Sequence, residues 1–528
     1  MKFARMRRGL VASAISAFAL AAPMAAPVSA QNLTMLVQPE PTTLLAQLNT
    51  SSSVQIVATK IFDGLFNLDA DLELQPALAL GYELSDDGRT LTLELRPDVR
   101  WHDGEPFTSE DVRYTLMEVI KEFHPRGRSI LASLTAVETP DEHTAILQFA
   151  EPTLYALRSL TGPEAPILPA HIFAGSDVRE NPAGNAPIGT GPFKFEEWDR
   201  GSAIILSANE DYWMPDAPKV ERLIVRNIPD PSTRSIALET GEVAVAGMNP
   251  IALSELNAVS EVEGVEVSTA GYDALGGIMF FEFNTRLEKF ADVRVRQAIA
   301  HALNRQFIAD NVWFGLGTPA TSPVPSWVAE FHNEALTGYD YDLEEATRLL
   351  DEAGLTPDED GWRLSFTHDV MPFDENYQRL ARYFKQALAQ VGINVELRNQ
   401  DFPTWLSRVY TDYDYETSAY IVFAGVDPAI GIQRLIWGDN IRSGVAFSNA
   451  SGYDDDTVDG LLADAATAPT QEERIAIWND VQSKVMEDLP VLPLIDVSYA
   501  TIHQGNVSGI EDDGYGVFGS FANVSVDE

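Results

Sequence analysis

The stretch Pro187–Trp198 reads PIGTGPFKFEEW, and the rest of the chain is interpreted from it. Gly189 and Gly191, flanked by Pro187 and Pro192, surround Thr190 and lead directly into an aromatic run of strand composition. Glycines at this spacing let the backbone turn sharply and come close to a neighbouring chain or a ligand. No Gly-Lys-Ser or Gly-Lys-Thr follows and no helical pattern opens behind it, so this is not a phosphate loop. It is a tight lead into a strand. Turn chemistry gives Gly189 and Thr190 a structural role first, with backbone groups offered to a ligand as the second reading.

N-terminal to it, residues 1–30 read as a leader outside the fold. Lys2, Arg5, Arg7 and Arg8 form a basic head, Leu10 to Ala22 is an apolar run, and Val28-Ser29-Ala30 is a small-residue cleavage site. The mature chain is expected to begin at Gln31, in the periplasm. The residues around Arg7-Arg8 fit a twin-arginine signal poorly, which favours the ordinary secretory route. No cysteine follows the apolar run to carry a lipid, and no later stretch reaches the roughly 18 apolar residues of a membrane span.

With 528 residues, at roughly 150 per domain, about three domains are expected. The formal net charge is −43, and removal of the basic leader makes the remainder more acidic still. That balance argues against nucleic acid and anionic membranes as partners. There are no cysteines, so neither disulfides nor a thiol nucleophile exist. The eight histidines are scattered, with no H-E-x-x-H and no pair at ligand spacing, so no metal site is expected. No G-x-S-x-G elbow occurs, and no carboxylate pair stands out from the many present. No catalytic residue and no cofactor are assigned.

Periodicity supplies the elements. Leu33 to Val37 is a strand, and Val54 to Phe66 has helical spacing ending near Gly64. Asp86-Asp87-Gly88 before alternating Leu91, Leu93 and Leu95 reads as a type I′-style hairpin turn and a half-buried strand. Thr108 or Ser109 caps a helix through Ile120. Val295, Ala298, Ile299, Ala302 and Leu303 mark the buried face of a helix, leaving Arg294, Arg296, Gln297 and Arg305 on its other faces. Asp342 opens a helix stopped by Gly354, Tyr377 to Val391 is a helix before the strand Ile393 to Leu397, and Thr470 with Glu473 caps a helix to Met486. Helices alternating with strands give an α/β architecture.

The run Pro76–Leu116, PALALGYELSDDGRTLTLELRPDVRWHDGEPFTSEDVRYTL, resembles the N-terminal signature of the dipeptide/oligopeptide class (family 5) of bacterial extracellular solute-binding proteins, the binding components of ABC importers. Further segments resemble the family in the same order. They are PIGTGPFKFEEW, Asn209 with Tyr212-Trp213, Asp230 through Gly241-Glu242-Val243, and Phe290 to Arg305 (FADVRVRQAIAHALNR). The resemblance implies a type II-like periplasmic binding protein, with two ligand-clasping lobes joined by a hinge plus an inserted domain. Lobe I takes residues 31–53, 187–272 and 497–528, the inserted lobe II takes 54–186, and lobe III takes 273–496.

The same resemblance places the site between lobes I and III. It points to backbone groups at Gly189 and Thr190, to Phe283 and Asn284 in FFEFN, to Trp405, and to Phe423 and Asp427 in YIVFAGVDP. Each has a plainer alternative: a buried strand for Phe283 and Asn284, a core tryptophan for Trp405, and a cap before Pro428 for Asp427. Peptide-binding members carry an Asp three residues before the Asp of the Asp-Pro pair, whereas here that position is Ala424. The implied solute is a peptide, opine, modified amino compound or saccharide, with simple di- and tripeptides the poorer fit. The implied partners are ABC permease membrane subunits, and the protein is expected to be a monomer. An exported hydrolase on a related scaffold, or a receptor feeding a sensor, are the alternative functions.

Overall fold

The computed structural model describes residues 32–527. The leader and the cleavage site at Ala30 lie outside the described residues. Three main sheets organise the chain. The first has seven strands in the order Val265–Ser268, Thr501–Gln504, Val245–Ala246, Asn32–Leu36, Arg222–Arg226, Ala203–Ala208 and Phe193–Asp199. The second has six, in the order Gly317–Pro319, Val491–Val497, Gly277–Phe283, Thr417–Phe423, Leu364–Asp369 and Ile393–Arg398. The third has four antiparallel strands, Ala79–Leu84, Thr90–Leu95, Thr144–Phe149 and Leu134–Asp141.

The chain leaves the seven-stranded sheet after Ser268, builds the six-stranded one, and returns after Val497 to place Thr501–Gln504 between Val265–Ser268 and Val245–Ala246. Two short connectors, 269–276 and 498–500, therefore join these sheets. They lie side by side. The rings of Tyr272 and Tyr499 are 5.7 Å apart, and the Tyr272 hydroxyl is 2.6 Å from Thr501 Oγ1 while accepting from the Met248 N–H at 3.0 Å.

The glycine stretch that opened the sequence reading meets the helix Ser52–Ile61. Gly189 and Gly191 sit against its C-terminal carbonyls, where a Cβ on either glycine would overlap the Ile61 carbonyl group. The Gly191 N–H donates to Ile61 O at 2.8 Å. Just beyond the helix, Asp63 is 3% exposed and accepts from Thr190 Oγ1 at 3.1 Å, Tyr212 OH at 3.0 Å and Trp213 Nε1 at 3.1 Å. Burial raises its carboxyl to about 6, with the three donors pulling the other way. These contacts draw the chain out of the helix at Phe62, which is extended. The helix thus ends at Ile61, not at Gly64 as its composition suggests.

Several other expectations need correcting. In the Asp86–Gly88 turn only Gly88 has positive φ, +65°, so this is not the mirror-image I′ turn, which needs two such residues. Arg296 and Arg305 are buried, although periodicity places them off the apolar face. Arg296 Nε donates to the carbonyls of Asp488 (3.0 Å) and Leu489 (3.2 Å), closing the C-terminus of the helix Gln471–Asp488. Arg305 donates to the carbonyl of Ala320 at 2.5 Å and to that of Tyr339. The local caps agree with the sequence: Asp292, Asp342 and Thr470 each accept from the first turn of their helices.

Gly189→Ala should lower the thermal midpoint by several degrees, since the added methyl forces apart packed backbone at a cost of about 1–3 kcal/mol. Gly81→Ala, where a Cβ meets nothing within 4 Å, should leave it nearly unchanged. Equal effects from the two substitutions would contradict this account of the glycine stretch.

Candidate functional site

A narrow cavity of about 20 Å³ lies where the three sheet-based bodies meet. Gln55, Tyr515 and Phe518 line it from the side of the helix Ser52–Ile61 and the C-terminal segment. Arg126, Arg158 and Glu164 come from the chain around the four-stranded sheet. Ala274 and Leu275 belong to the first connector, and Phe423, Gly425, Val426 and Ile430 continue the strand Thr417–Phe423. A broader depression beside the helix Leu343–Glu352 is lined by that helix alone and brings no separate elements together.

Each wall is fixed by its own bonds. Phe423 is the last strand residue, opposite Gly277, and its ring lies 5.9 Å from that of Tyr499. Beyond it, the N–H groups of Ala424 and Gly425 donate to Gly276 O and Leu275 O at 3.0 Å, tying this wall to the connector. Gln55 Nε2 donates to Pro163 O at 2.6 Å, and the Tyr515 hydroxyl is 2.9 Å from Thr161 Oγ1. Arg126 makes a two-pronged ion pair with Glu164, at 2.9 and 2.5 Å. Arg158 reaches Glu330 of the facing body at 3.6 Å.

Of the seven residues that the sequence singled out, Phe423 lines this cavity. Gly189 and Thr190 are turned instead to Ile61 and Asp63, as described above. Phe283 is fully buried among Phe281 and Phe290 at ring distances of 5.0 and 5.5 Å. The Asn284 amide donates to the carbonyls of Tyr413 (3.2 Å) and Tyr415 (2.9 Å). Trp405 is fully buried and donates to Ser418 Oγ at 3.1 Å. Asp427 is 1% exposed and holds Arg474 by two bonds of 2.5 and 2.7 Å, while also capping Ala429 N–H at 2.9 Å. Its charge is compensated within the protein.

Behind the Phe423 wall the six-stranded sheet buries a carboxyl that the sequence gave no reason to notice. Glu282 is 0% exposed, and neither carboxyl oxygen completes a hydrogen bond. The hydroxyls of Tyr410, Tyr415 and Tyr420 are likewise buried without a completed bond. The rings of Tyr410 and Tyr420 pack with Trp405 and Phe447 at 5.5–6.1 Å and with each other at 6.3 Å. Burial raises Glu282 to about 8, with the Tyr420 and Tyr415 hydroxyls, the Ser451 N–H and the Arg286 charge opposing it. The carboxyl therefore keeps its proton at neutral pH. Among the described residues no group of three or more His, Asp or Glu is arranged to hold a metal ion, and no helix is long and apolar enough to cross a membrane.

Comparison with known proteins agrees with this architecture. The model of "Bacterial extracellular solute-binding proteins, family 5 Middle" matches residues 73–440. The glutathione-binding protein GsiB of Salmonella typhi is 26% identical over 465 residues, covering 86% of this chain and 87% of its own. Among solved structures, the ABC transporter-associated periplasmic binding protein DppA of Helicobacter pylori, in complex with peptide STSA, superposes with TM-score 0.79. It is 24% identical and covers 94% of this chain and 98% of that one. The binding protein AgaA of A. tumefaciens R10, in complex with agropinic acid, gives TM-score 0.77 at 25% identity, covering 94% and 99%.

Glu282→Gln tests the buried carboxyl by its pH dependence. Between the ordinary glutamate value and about 8 the folded state keeps a proton that the unfolded chain has released. Rising pH therefore favours unfolding there, by about 1.4 kcal/mol per unit for this group. Glutamine has no proton to lose. The stability of Glu282→Gln relative to wild type, measured by denaturant titration, should rise from pH 5 to pH 8.5. A difference independent of pH would show that Glu282 ionises freely in the folded protein.

Proposed function

Because the chain belongs to the bacterial extracellular solute-binding proteins of family 5, we propose that the Phe423-lined cavity is where it holds its solute. The protein is a solute-binding receptor of an ABC importer and not an enzyme. In this proposal, residues 31–53, 187–272 and 497–528 form one lobe, 54–186 an inserted lobe, and 273–496 the lobe that closes. The connectors 269–276 and 498–500 act as the hinge. The leader is cut after Ala30, and the receptor works in the periplasm beside its permease.

One observation carries the choice of solute: the wall beside Phe423 offers no uncompensated carboxylate to a peptide amine. At the position where peptide-binding members carry an Asp stands Ala424, fully buried. Asp427, the nearest acid in the segment, is committed to Arg474. Burying an ammonium without an anionic partner costs several kcal/mol. Simple di- and tripeptides are therefore disfavoured, and an opine-like molecule, a modified amino compound or a small saccharide is favoured. The ligands of AgaA and GsiB, agropinic acid and glutathione, belong in the first panel to be tried.

Titration calorimetry with that panel and with unmodified di- and tripeptides decides the matter. Peptides should bind at least tenfold more weakly than the best non-peptide compound. Micromolar or tighter binding of peptides, abolished by acetylating their amino ends, would overturn the assignment.

A further inference from the structure

Resting on the receptor reading, we propose that the solute is an anion whose acid group is received by the guanidinium of Arg434, making this arginine a specificity-determining residue. Residues 428–436 follow a nearly continuous helical path, with Ile432 N–H donating to Pro428 O at 2.9 Å and Trp437 N–H to Gln433 O at 3.0 Å. Arg434 stands four residues after Ile430, which lines the cavity, and so shares its face of the path.

The bonding of Arg434 is incomplete. Its Nε donates to Gly431 O at 3.0 Å. Among the described residues its two terminal nitrogens meet no acceptor, and no carboxylate lies within the 4.0 Å of an ion pair. Arg434 is half-buried, whereas the fully buried guanidiniums are satisfied: Arg474 by Asp427, and Arg296 and Arg305 by carbonyls. Burial lowers Arg434 to about 10, and the positive charge of Arg126 adds to the effect, while Tyr410, Tyr420 and Glu164 oppose it. Arg434 stands just behind the cavity lining, close enough for the charges of the lining residues Arg126 and Glu164 to act on it; Arg126 is paired with Glu164 and Arg158 with Glu330, so the surplus beside the cavity is positive.

That surplus stands in a chain of net charge −43. The overall field repels anions, but salt screens it beyond about 8 Å under physiological conditions. Local charge inside the cleft therefore decides what is held. A carboxylate matches the planar fork of a guanidinium with two parallel bonds, and a neutral solute leaves that fork unpaired.

The test is thermal stabilisation of wild type, Arg434→Gln and Arg434→Lys by a library of small organic acids, neutral saccharides and amines, followed by calorimetry on every hit. The compounds that stabilise the wild type should be anions at pH 7. Arg434→Gln should bind them at least tenfold more weakly, and Arg434→Lys should recover part of the loss. Without ligand, Arg434→Gln should melt no lower than wild type, since it removes an unpaired charge; a structural arginine would behave oppositely. A neutral or cationic compound bound best, or anion affinity unchanged in Arg434→Gln, would overturn the proposal while leaving the receptor reading intact. A wild type stabilised by none of the three classes would count against the receptor reading and, with it, against this inference.

Discussion

The buried carboxyl of Asp63 is the joint that ties the seven-stranded body to the four-stranded one. Three donors from two distant segments, Thr190 on one side and Tyr212 and Trp213 on the other, converge on it. Its own carbonyl accepts from Ile167 N–H at 2.9 Å, bringing in the chain beyond the four-stranded sheet. Around it the backbone is packed so closely that only glycine fits at 189 and 191. Asn209 Nδ2 donates to Gly191 O at 3.1 Å, which fixes the loop from its other end. A single desolvated acid, costly to bury alone and satisfied three times over, thus holds the end of the helix Ser52–Ile61 in place. Gln55 on that helix is one wall of the cavity.

From that joint the functional geometry follows. The two connectors between the large sheets are short and cross-linked by Tyr272, which suits them to the hinge role proposed above. Where the bodies face one another the polar groups are unevenly compensated. Asp427 and Arg474 satisfy each other inside one body, while Arg158 and Glu330 meet across the gap at 3.6 Å. A partly exposed pair of that kind contributes little stability, roughly 0–1 kcal/mol. It is suited to forming and breaking as the cleft closes and opens.

Local features were legible in the sequence. The caps at Asp292, Asp342 and Thr470 and the apolar face of the helix Val293–Ala302 depend on neighbours a few residues away. The ordered motifs also pointed to the family. What the sequence hid were partners far along the chain. Arg474 is 47 residues from Asp427, and the carbonyls that bury Arg296 are about 190 residues away. The glycine stretch kept a ligand-backbone reading behind the structural one because close approach to a ligand and close approach to another strand demand the same residue. Glu282 and Arg434 carried no motif at all. Their interest comes from bonds left incomplete by partners far along the chain, and only coordinates show that.

The central claim is that this body closes over a solute it does not alter. Small-angle scattering of the purified protein with and without a saturating bound solute tests it most directly, with the solute recovered and identified afterwards. The account predicts a smaller radius of gyration in the loaded protein and a solute recovered unchanged. An unchanged radius, or a solute returned as a chemical product, would contradict it.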